Sequence, residues 1–211
     1  YTTVEQTNLK VKMTSETETK DKIGLRKYKR TAVPLMIAGF AVTSIILAVT
    51  FFDKLPWTIT IENYTKTFSF EKRLIFTIQL LFLDCFSLLF AIYAVISRRV
   101  STIAINPLDP KGQIFVEQRQ RILQNTLEQF VVKVILSLTL CTILESNELI
   151  LLPVFTFLFL LGRLTFALGY PKYRSFGFIM HITSNTFVIG LISYRLFING
   201  TFFQHIKNKS N

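Results

Sequence analysis

Five long apolar blocks constrain the fold of this chain more than any other feature of its sequence. They cover residues 32–52, 74–96, 126–144, 149–168 and 178–197. Each is about 20 residues long, the length at which an α-helix crosses a hydrocarbon layer ~30 Å thick. Backbone polar groups in lipid must be paired within their own segment, so each block is predicted to be a helix. We therefore predict an all-α polytopic membrane protein with five spans.

The composition agrees with a membrane protein and argues against a nucleic-acid-binding one. The chain is 50% apolar and only 18% charged, which is too apolar for a single water-soluble domain of 211 residues. Its net charge of +11 comes from Lys and Arg that lie almost entirely between the blocks and in the N-terminal tail. This placement favours membrane lipids, and no nucleic acid, as the partner. Two cysteines inside apolar blocks and two histidines exclude a disulfide framework and a structural zinc site, so no metal is expected.

The polar segments between the blocks predict the domain organisation and the orientation. Residues 1–31 have the composition of a disordered basic tail, 53–73 form a loop, and 198–211 form a second tail. Fifteen Lys and Arg fall on the side of the N-terminal tail and seven on the other side. This asymmetry places the N-terminus in the cytosol, and the loop and the second tail in the lumen. Glycosylation sequons at Asn63, Asn199 and Asn208 all lie on that lumenal side. Because the chain begins with Tyr1 rather than Met, we expect it to be a fragment.

Few ionisable residues occur inside the blocks. Each costs about 2.5 to 3.5 kcal/mol near the centre of a span, so each needs a partner or a function. Asp84, Lys133 and Arg163 lie at comparable depths, and a structural ion pair of Asp84 with Lys133 or with Arg163 is the simpler interpretation. His181 and Asn185 lie one helical turn apart in the last block and are interpreted as hydrogen-bonding partners between helices.

Two helix faces carry polar groups that suit a zwitterionic ligand. Arg121, Asn125 and Glu128 follow at i, i+4 and i+7, which places a guanidinium, an amide and a carboxylate on one face of the third span. Arg163, Phe166 and Tyr170 follow at i, i+3 and i+7 on one face of the fourth span. Both faces are predicted to lie in the cytosolic half of the membrane.

Four segments resemble a known family: VISRRV at 95–100, NPLDPKG at 106–112, EQRQRILQNTLEQF at 117–130 and GRLTFALGYPKYRSFGF at 162–178. They are similar to the membrane-associated proteins in eicosanoid and glutathione metabolism, the MAPEG superfamily. The resemblance implies a four-helix membrane bundle over residues 74–197, to which the apolar block at 32–52 adds one extra N-terminal transmembrane helix. It also implies a homotrimer that binds glutathione at the cytosolic side, between neighbouring subunits.

The resemblance implies a role for particular residues. Arg121, Asn125 and Glu128 match the family's glutathione-contacting motif. Arg99 matches a carboxylate-binding arginine after the first family helix, and Arg163 and Tyr170 match a later Arg and Tyr. If the protein is an enzyme, Arg174 is the residue expected to activate the glutathione thiol. The alternative for Arg174 is a cytosolic anchor with no catalytic role.

Three further features are the additional N-terminal span preceded by a basic tail, the segment FFDKLPWTITIENYTKTFSFEKRLIF at 51–76 and RSFGF at 174–178. They resemble the mattrin-like branch of this family, whose members are known for lysosomal and secretory-granule traffic and for receptor regulation. This resemblance implies a Golgi, lysosomal or secretory-granule protein with a trafficking or regulatory role and a retained glutathione site. The alternative is a glutathione-dependent transferase or peroxidase acting on a lipophilic substrate from the bilayer. Phe166 stands where family enzymes often have Tyr or His, and the turn after Tyr170 is short, so the sequence leaves catalysis open.

Overall fold

Every regular element in the described part of the chain is a helix. The computed structural model describes residues 29–50, 52, 56–65, 67–106, 110–145 and 148–198. The predicted tails fall outside these residues, except for 29–31 and 198. The helices are α1 (Lys29–Thr50), α2 (Pro56–Thr65), α3 (Phe70–Val100), α4 (Pro110–Ile143), α5 (Leu151–Gly169) and α6 (Ser175–Ser193). A 3-10 turn (Ile103–Ile105) lies between α3 and α4, and a π-helical turn (Tyr194–Ile198) extends α6.

The prediction of five apolar spans is confirmed. Within the described residues, α1, α3, α4, α5 and α6 are each long and apolar enough to cross a membrane. Two of them are much longer than the hydrocarbon layer is thick, since 31 residues in α3 and 34 in α4 correspond to lengths of roughly 46 and 51 Å at 1.5 Å per residue. The third span was predicted to begin at residue 126, but its helix begins at Pro110. The added residues include four Gln and two Arg, which are good helix formers and interrupt the apolar pattern.

The segment 53–73 was predicted to be a loop and instead contains α2 and the first turn of α3. Proline is well tolerated in the first turn of a helix because its missing N–H has no partner there in any case, and Pro56 is the first residue of α2. Ser69 caps α3 by accepting a hydrogen bond from the backbone N–H of Lys72 at 3.5 Å. Asn63 of the first sequon is exposed on α2.

The spans alternate in direction, so the bundle has two distinct ends. We call the end at which α1 begins and α3 and α5 finish the proximal end, and the opposite end the distal end. At the proximal end, Arg98 Nε on α3 donates to the carbonyl of Phe115 on α4 at 3.4 Å. At the distal end, Arg73 Nη1 donates to the carbonyl of Leu144 at 2.7 Å, and Arg195 pairs with Glu148.

Two clusters of buried apolar side chains hold the helices together. One, near the distal end, joins the end of α4 to α5 and α6 through residues such as Leu140, Phe155 and Val188. The other lies between α5 and α6, and α1 packs against it. This second cluster comprises Ile150, Val154, Leu158 and Met180.

The predicted ion pair between Asp84 and Lys133 is confirmed. Lys133 Nζ lies 3.4 Å from Asp84 Oδ2, and both side chains are at most 1% exposed. Lys133 also donates to Ser137 Oγ at 3.1 Å and to Thr156 Oγ1 at 3.3 Å, and the Thr156 hydroxyl donates to Asp84 Oδ2 at 3.4 Å. The pair thus connects α3, α4 and α5 in the interior. Arg163, the alternative partner, bonds elsewhere.

Candidate functional site

A cavity of about 450 Å³ opens at the proximal end, between α1, α4, α5 and the start of α6. We call it the polar cavity. Five of the seven predicted site residues line it: Arg121, Asn125, Glu128, Tyr170 and Arg174. The remaining lining residues are Ala32, Met36, Gln124, Phe166, Ser175 and Phe178. The structure therefore brings together five residues that the sequence singled out, four by their spacing and Arg174 by the family resemblance.

The α4 side of the polar cavity carries one cation and one anion that do not neutralise each other. Arg121 Nη2 lies 2.6 Å from Glu117 Oε1, one turn earlier, and both side chains are more than half exposed. Glu128 Oε1 accepts a hydrogen bond from Gln124 Nε2 at 3.2 Å and is also exposed. Exposed i, i+4 ion pairs contribute only about 0.3 to 0.5 kcal/mol. Arg121 can therefore exchange Glu117 for a ligand carboxylate at little cost.

Arg163 lies behind the polar cavity rather than on its wall. Its side chain is 4% exposed, and Nη1 donates to Asn125 Oδ1 at 2.8 Å. Since this bond uses the amide oxygen of Asn125, the amide nitrogen remains to donate to a ligand. Arg163 does not line the polar cavity itself, and its link to the cavity wall is the bond to Asn125.

His181 holds Arg163 from the other side, a role that sequence reasoning did not assign. Arg163 Nε donates to His181 Nε2 at 2.5 Å, and His181 is 2% exposed. A Cβ at Gly162 would lie 2.6 Å from His181 Nε2, so a larger residue at position 162 would displace the imidazole. The sequence feature that could have indicated this role is the position of His181 inside an apolar block, one helical turn from Asn185. Asn185 makes an interhelical bond of its own: its Nδ2 donates to Gln129 Oε1 on α4 at 3.3 Å.

Tyr170 and Arg174 form the part of the wall where α5 ends and α6 begins. The Arg174 guanidinium carbon lies 5.4 Å from the centroid of the Tyr170 ring, within cation–π range. The carbonyl of Tyr170 accepts from Gln118 Nε2 at 3.3 Å, which ties this turn to α4. The short turn predicted from the sequence thus still brings Arg174 to the cavity.

Arg99 is the one predicted residue that the single chain places apart from both the polar cavity and Asn125. It lies at the end of α3, where Nη1 donates to the carbonyl of Ala104 at 3.4 Å. Its side chain is partly exposed.

A second cavity, of about 720 Å³, lies between α3, α4 and α5. We call it the apolar groove, because side chains such as Leu83, Phe86, Phe90 and Leu164 form most of its wall. Its polar lining includes Gln118, Arg119 and Arg163. Tyr170 lines both the apolar groove and the polar cavity, so the two spaces share a wall.

The groups of the polar cavity match a ligand that carries both signs of charge. Arg121 and Arg174 can each bind a carboxylate, Glu128 can bind an ammonium group, and the Asn125 amide nitrogen can donate to a carbonyl. Guanidinium–carboxylate bonds of this kind are stronger than neutral hydrogen bonds. A small peptide with free termini has all of these complementary groups.

The family model described as "MAPEG family" matches residues 77–194, which run from the early turns of α3 through α6. The helices α1 and α2 lie outside the matched region. Searches of curated proteins and of solved structures found no match.

Proposed function

The chain belongs to the MAPEG family, and we propose that it is a multi-pass endomembrane protein that binds glutathione in the polar cavity and acts in membrane traffic or receptor regulation. The gathering of Arg121, Asn125, Glu128, Tyr170 and Arg174 around one cavity supports this proposal most directly. The trafficking or regulatory role and the Golgi, lysosomal or granule location rest on the resemblance to the mattrin-like branch. The proposal places the proximal end, and with it the N-terminus, in the cytosol.

In this proposal each charged group of glutathione has a partner. Arg121 and Arg174 bind its two carboxylates, Glu128 its ammonium group, and Asn125 donates to a backbone carbonyl. Arg163 contributes by fixing the Asn125 amide, to which it donates at 2.8 Å. Tyr170 closes the cavity where the thiol would lie.

The proposal includes a homotrimer in which Arg99 completes the cavity of a neighbouring copy. The position of Arg99 at the end of α3, partly exposed and outside its own chain's polar cavity, supports donation to a neighbour. Native mass spectrometry in a mild detergent tests this arrangement. A trimer is expected, and a stable monomer that still binds glutathione would remove the shared site.

The second candidate function is a glutathione-dependent transferase or peroxidase. The apolar groove favours it, because that groove shares Tyr170 with the polar cavity and has room for a lipophilic molecule. In this version Arg174 stabilises the thiolate of glutathione, which attacks an electrophile that enters from the bilayer. Turnover of a generic lipophilic electrophile by the purified protein distinguishes the two functions.

Calorimetric titration of the detergent-purified protein with glutathione tests the binding that both functions require. A charge-assisted hydrogen bond contributes about 1.5 to 3 kcal/mol, so Arg121→Ala should weaken binding by roughly 10- to 150-fold. Arg119→Ala is the matched control, because Arg119 lies on the same helix and is also exposed but lines the apolar groove instead. Absence of saturable binding, or equal affinities of the two variants, would contradict the proposal.

A further inference from the structure

The extra N-terminal helix has no part in the family match, yet it contributes to the polar cavity. Ala32 and Met36 of α1 line that cavity opposite the polar face of α4. Ala32 is 5% exposed, so its side chain is enclosed by the protein. The cavity is therefore built from the matched region and from one helix outside it.

Helix α1 packs closely against α6 at Gly39. A Cβ at Gly39 would lie 2.5 Å from Ile179 Cγ2 and 2.7 Å from the carbonyl oxygen of Phe176, so α1 approaches α6 to a distance that only glycine allows. One turn further, Thr43 is fully buried and its hydroxyl donates to the carbonyl of Gly39 at 2.9 Å. These contacts fix both the rotation and the depth of α1.

The rotation of α1 decides which side chains meet the cavity. Met36 lines the cavity and is 38% exposed, whereas the adjacent Ile37 and the later Phe40 do not line it and are 65% and 57% exposed. Further along, Val42, Ile46 and Leu47 pack against the cluster formed by α5 and α6. The side chain at position 36 is thus held against the space in which a ligand would lie.

We propose that α1 is a selectivity wall of the polar cavity: Ala32 and Met36, seated through Gly39, limit the size of the ligand that the cavity admits. The identity of the ligand in this inference rests on the proposed function, whereas the position of α1 at the cavity does not. Deletion of side-chain volume at position 36 enlarges the cavity, and addition of volume fills it. A bulky substitution there acts on ligand binding without changing any charged group.

Thiol labelling tests the position of the wall without glutathione. In a background with Cys85→Ala and Cys141→Ala, Met36→Cys and Ile37→Cys are treated with a charged, membrane-impermeant thiol reagent. Reaction requires the thiolate, which forms in water and not in lipid, so Met36→Cys should react at least about tenfold faster. Adding Gly39→Leu should remove this difference. Gly190→Leu is the matched control, since a Cβ at Gly190 meets no atom within 4 Å.

Ligand binding tests selectivity. Met36→Trp should weaken glutathione binding by at least about tenfold, whereas Ile37→Trp should leave it unchanged. If wild type binds no glutathione, the proposed function fails, and the labelling contrast still decides whether α1 walls the cavity. If wild type binds but the two tryptophan variants bind equally well, or positions 36 and 37 label equally, the wall is overturned while the proposed function stands.

Discussion

His181→Leu should weaken glutathione binding although His181 is separated from the polar cavity by Arg163. The imidazole accepts from Arg163 Nε at 2.5 Å, and Arg163 Nη1 in turn donates to Asn125 Oδ1 at 2.8 Å. Leucine fills much of the same volume but has no acceptor. The substitution therefore removes the group that holds the guanidinium against Asn125, while it keeps most of the packing around Phe159.

The size of the effect follows from the two hydrogen bonds. The bond lost at Arg163 is charge-assisted, and such bonds contribute about 1.5 to 3 kcal/mol to stability. Within the described residues Arg163 Nη2 already has no hydrogen-bond partner, so the variant adds a second unsatisfied nitrogen on the same buried group. For the ligand, the cost is the weakening of one neutral bond from Asn125. That is about 0.5 to 1.5 kcal/mol, or roughly 2- to 12-fold in affinity.

Two further variants distinguish an effect through Arg163 from a loss of packing. His181→Gln keeps an acceptor for Arg163 and should therefore restore most of the glutathione affinity. Asn185→Leu is the matched control: position 185 lies one turn away on α6 and the variant loses its own interhelical bond, to Gln129, but among the described residues Asn185 bonds neither Arg163 nor Asn125. Titration calorimetry with glutathione and thermal unfolding in the same detergent separate binding from stability.

A double-mutant cycle gives the refuting result. Because His181 acts through Asn125, the binding losses of His181→Leu and Asn125→Ala should not add, with a coupling energy of at least about 0.5 kcal/mol. If the losses add, or if His181→Leu lowers stability as Asn185→Leu does but leaves affinity intact, then His181 only packs the bundle.

Three further predictions concern other parts of the molecule. Lys133→Met leaves Asp84 unpaired in the interior and should lower the unfolding free energy by about 3 to 5 kcal/mol, with recovery in the double variant that adds Asp84→Leu; an unchanged melting temperature in the single variant would contradict this. If Arg174 activates the thiol, it lowers the thiol pKa of bound glutathione by about 2 from the free value near ~8.5. Ultraviolet thiolate absorbance should then be present at neutral pH in wild type and absent in Arg174→Leu, whereas an unshifted wild-type titration would make Arg174 an anchor. An engineered sequon within residues 101–120 should stay unglycosylated in microsomes, and its modification would reverse the proposed orientation.

The five spans could be predicted from the sequence because an isolated apolar block of this length must be helical in lipid. The ends of the helices could not be predicted, because hydropathy indicates which residues lie in lipid but not how far a helix continues outside it. The start of α4 at Pro110 and the short helix α2 both lie outside the apolar blocks. A helix outside lipid is set by local propensity and capping, which the apolar pattern does not record.

The same distinction applies to the candidate site. Arg121, Asn125 and Glu128 were predictable as one face, since their spacing on a single helix fixes their relative positions. The bond between Arg163 and His181 was not, because it depends on the rotation and register of α5 against α6. The contribution of Met36 was missed for a similar reason: hydropathy identified α1 as a span but did not indicate which helices it would meet.

The buried pair of Asp84 and Lys133 also bears on how the protein enters the membrane. The two residues lie on successive spans, so Asp84 in α3 reaches the bilayer before Lys133 in α4 does. An unpaired charge at that depth costs about 2.5 to 3.5 kcal/mol, which disfavours release of α3 on its own. We expect α3 to remain beside the insertion machinery until Lys133 arrives, and the two helices to enter the lipid together as a hairpin. The ion pair would then set the order of biogenesis, with α5 and α6 assembling on a hairpin that is already formed.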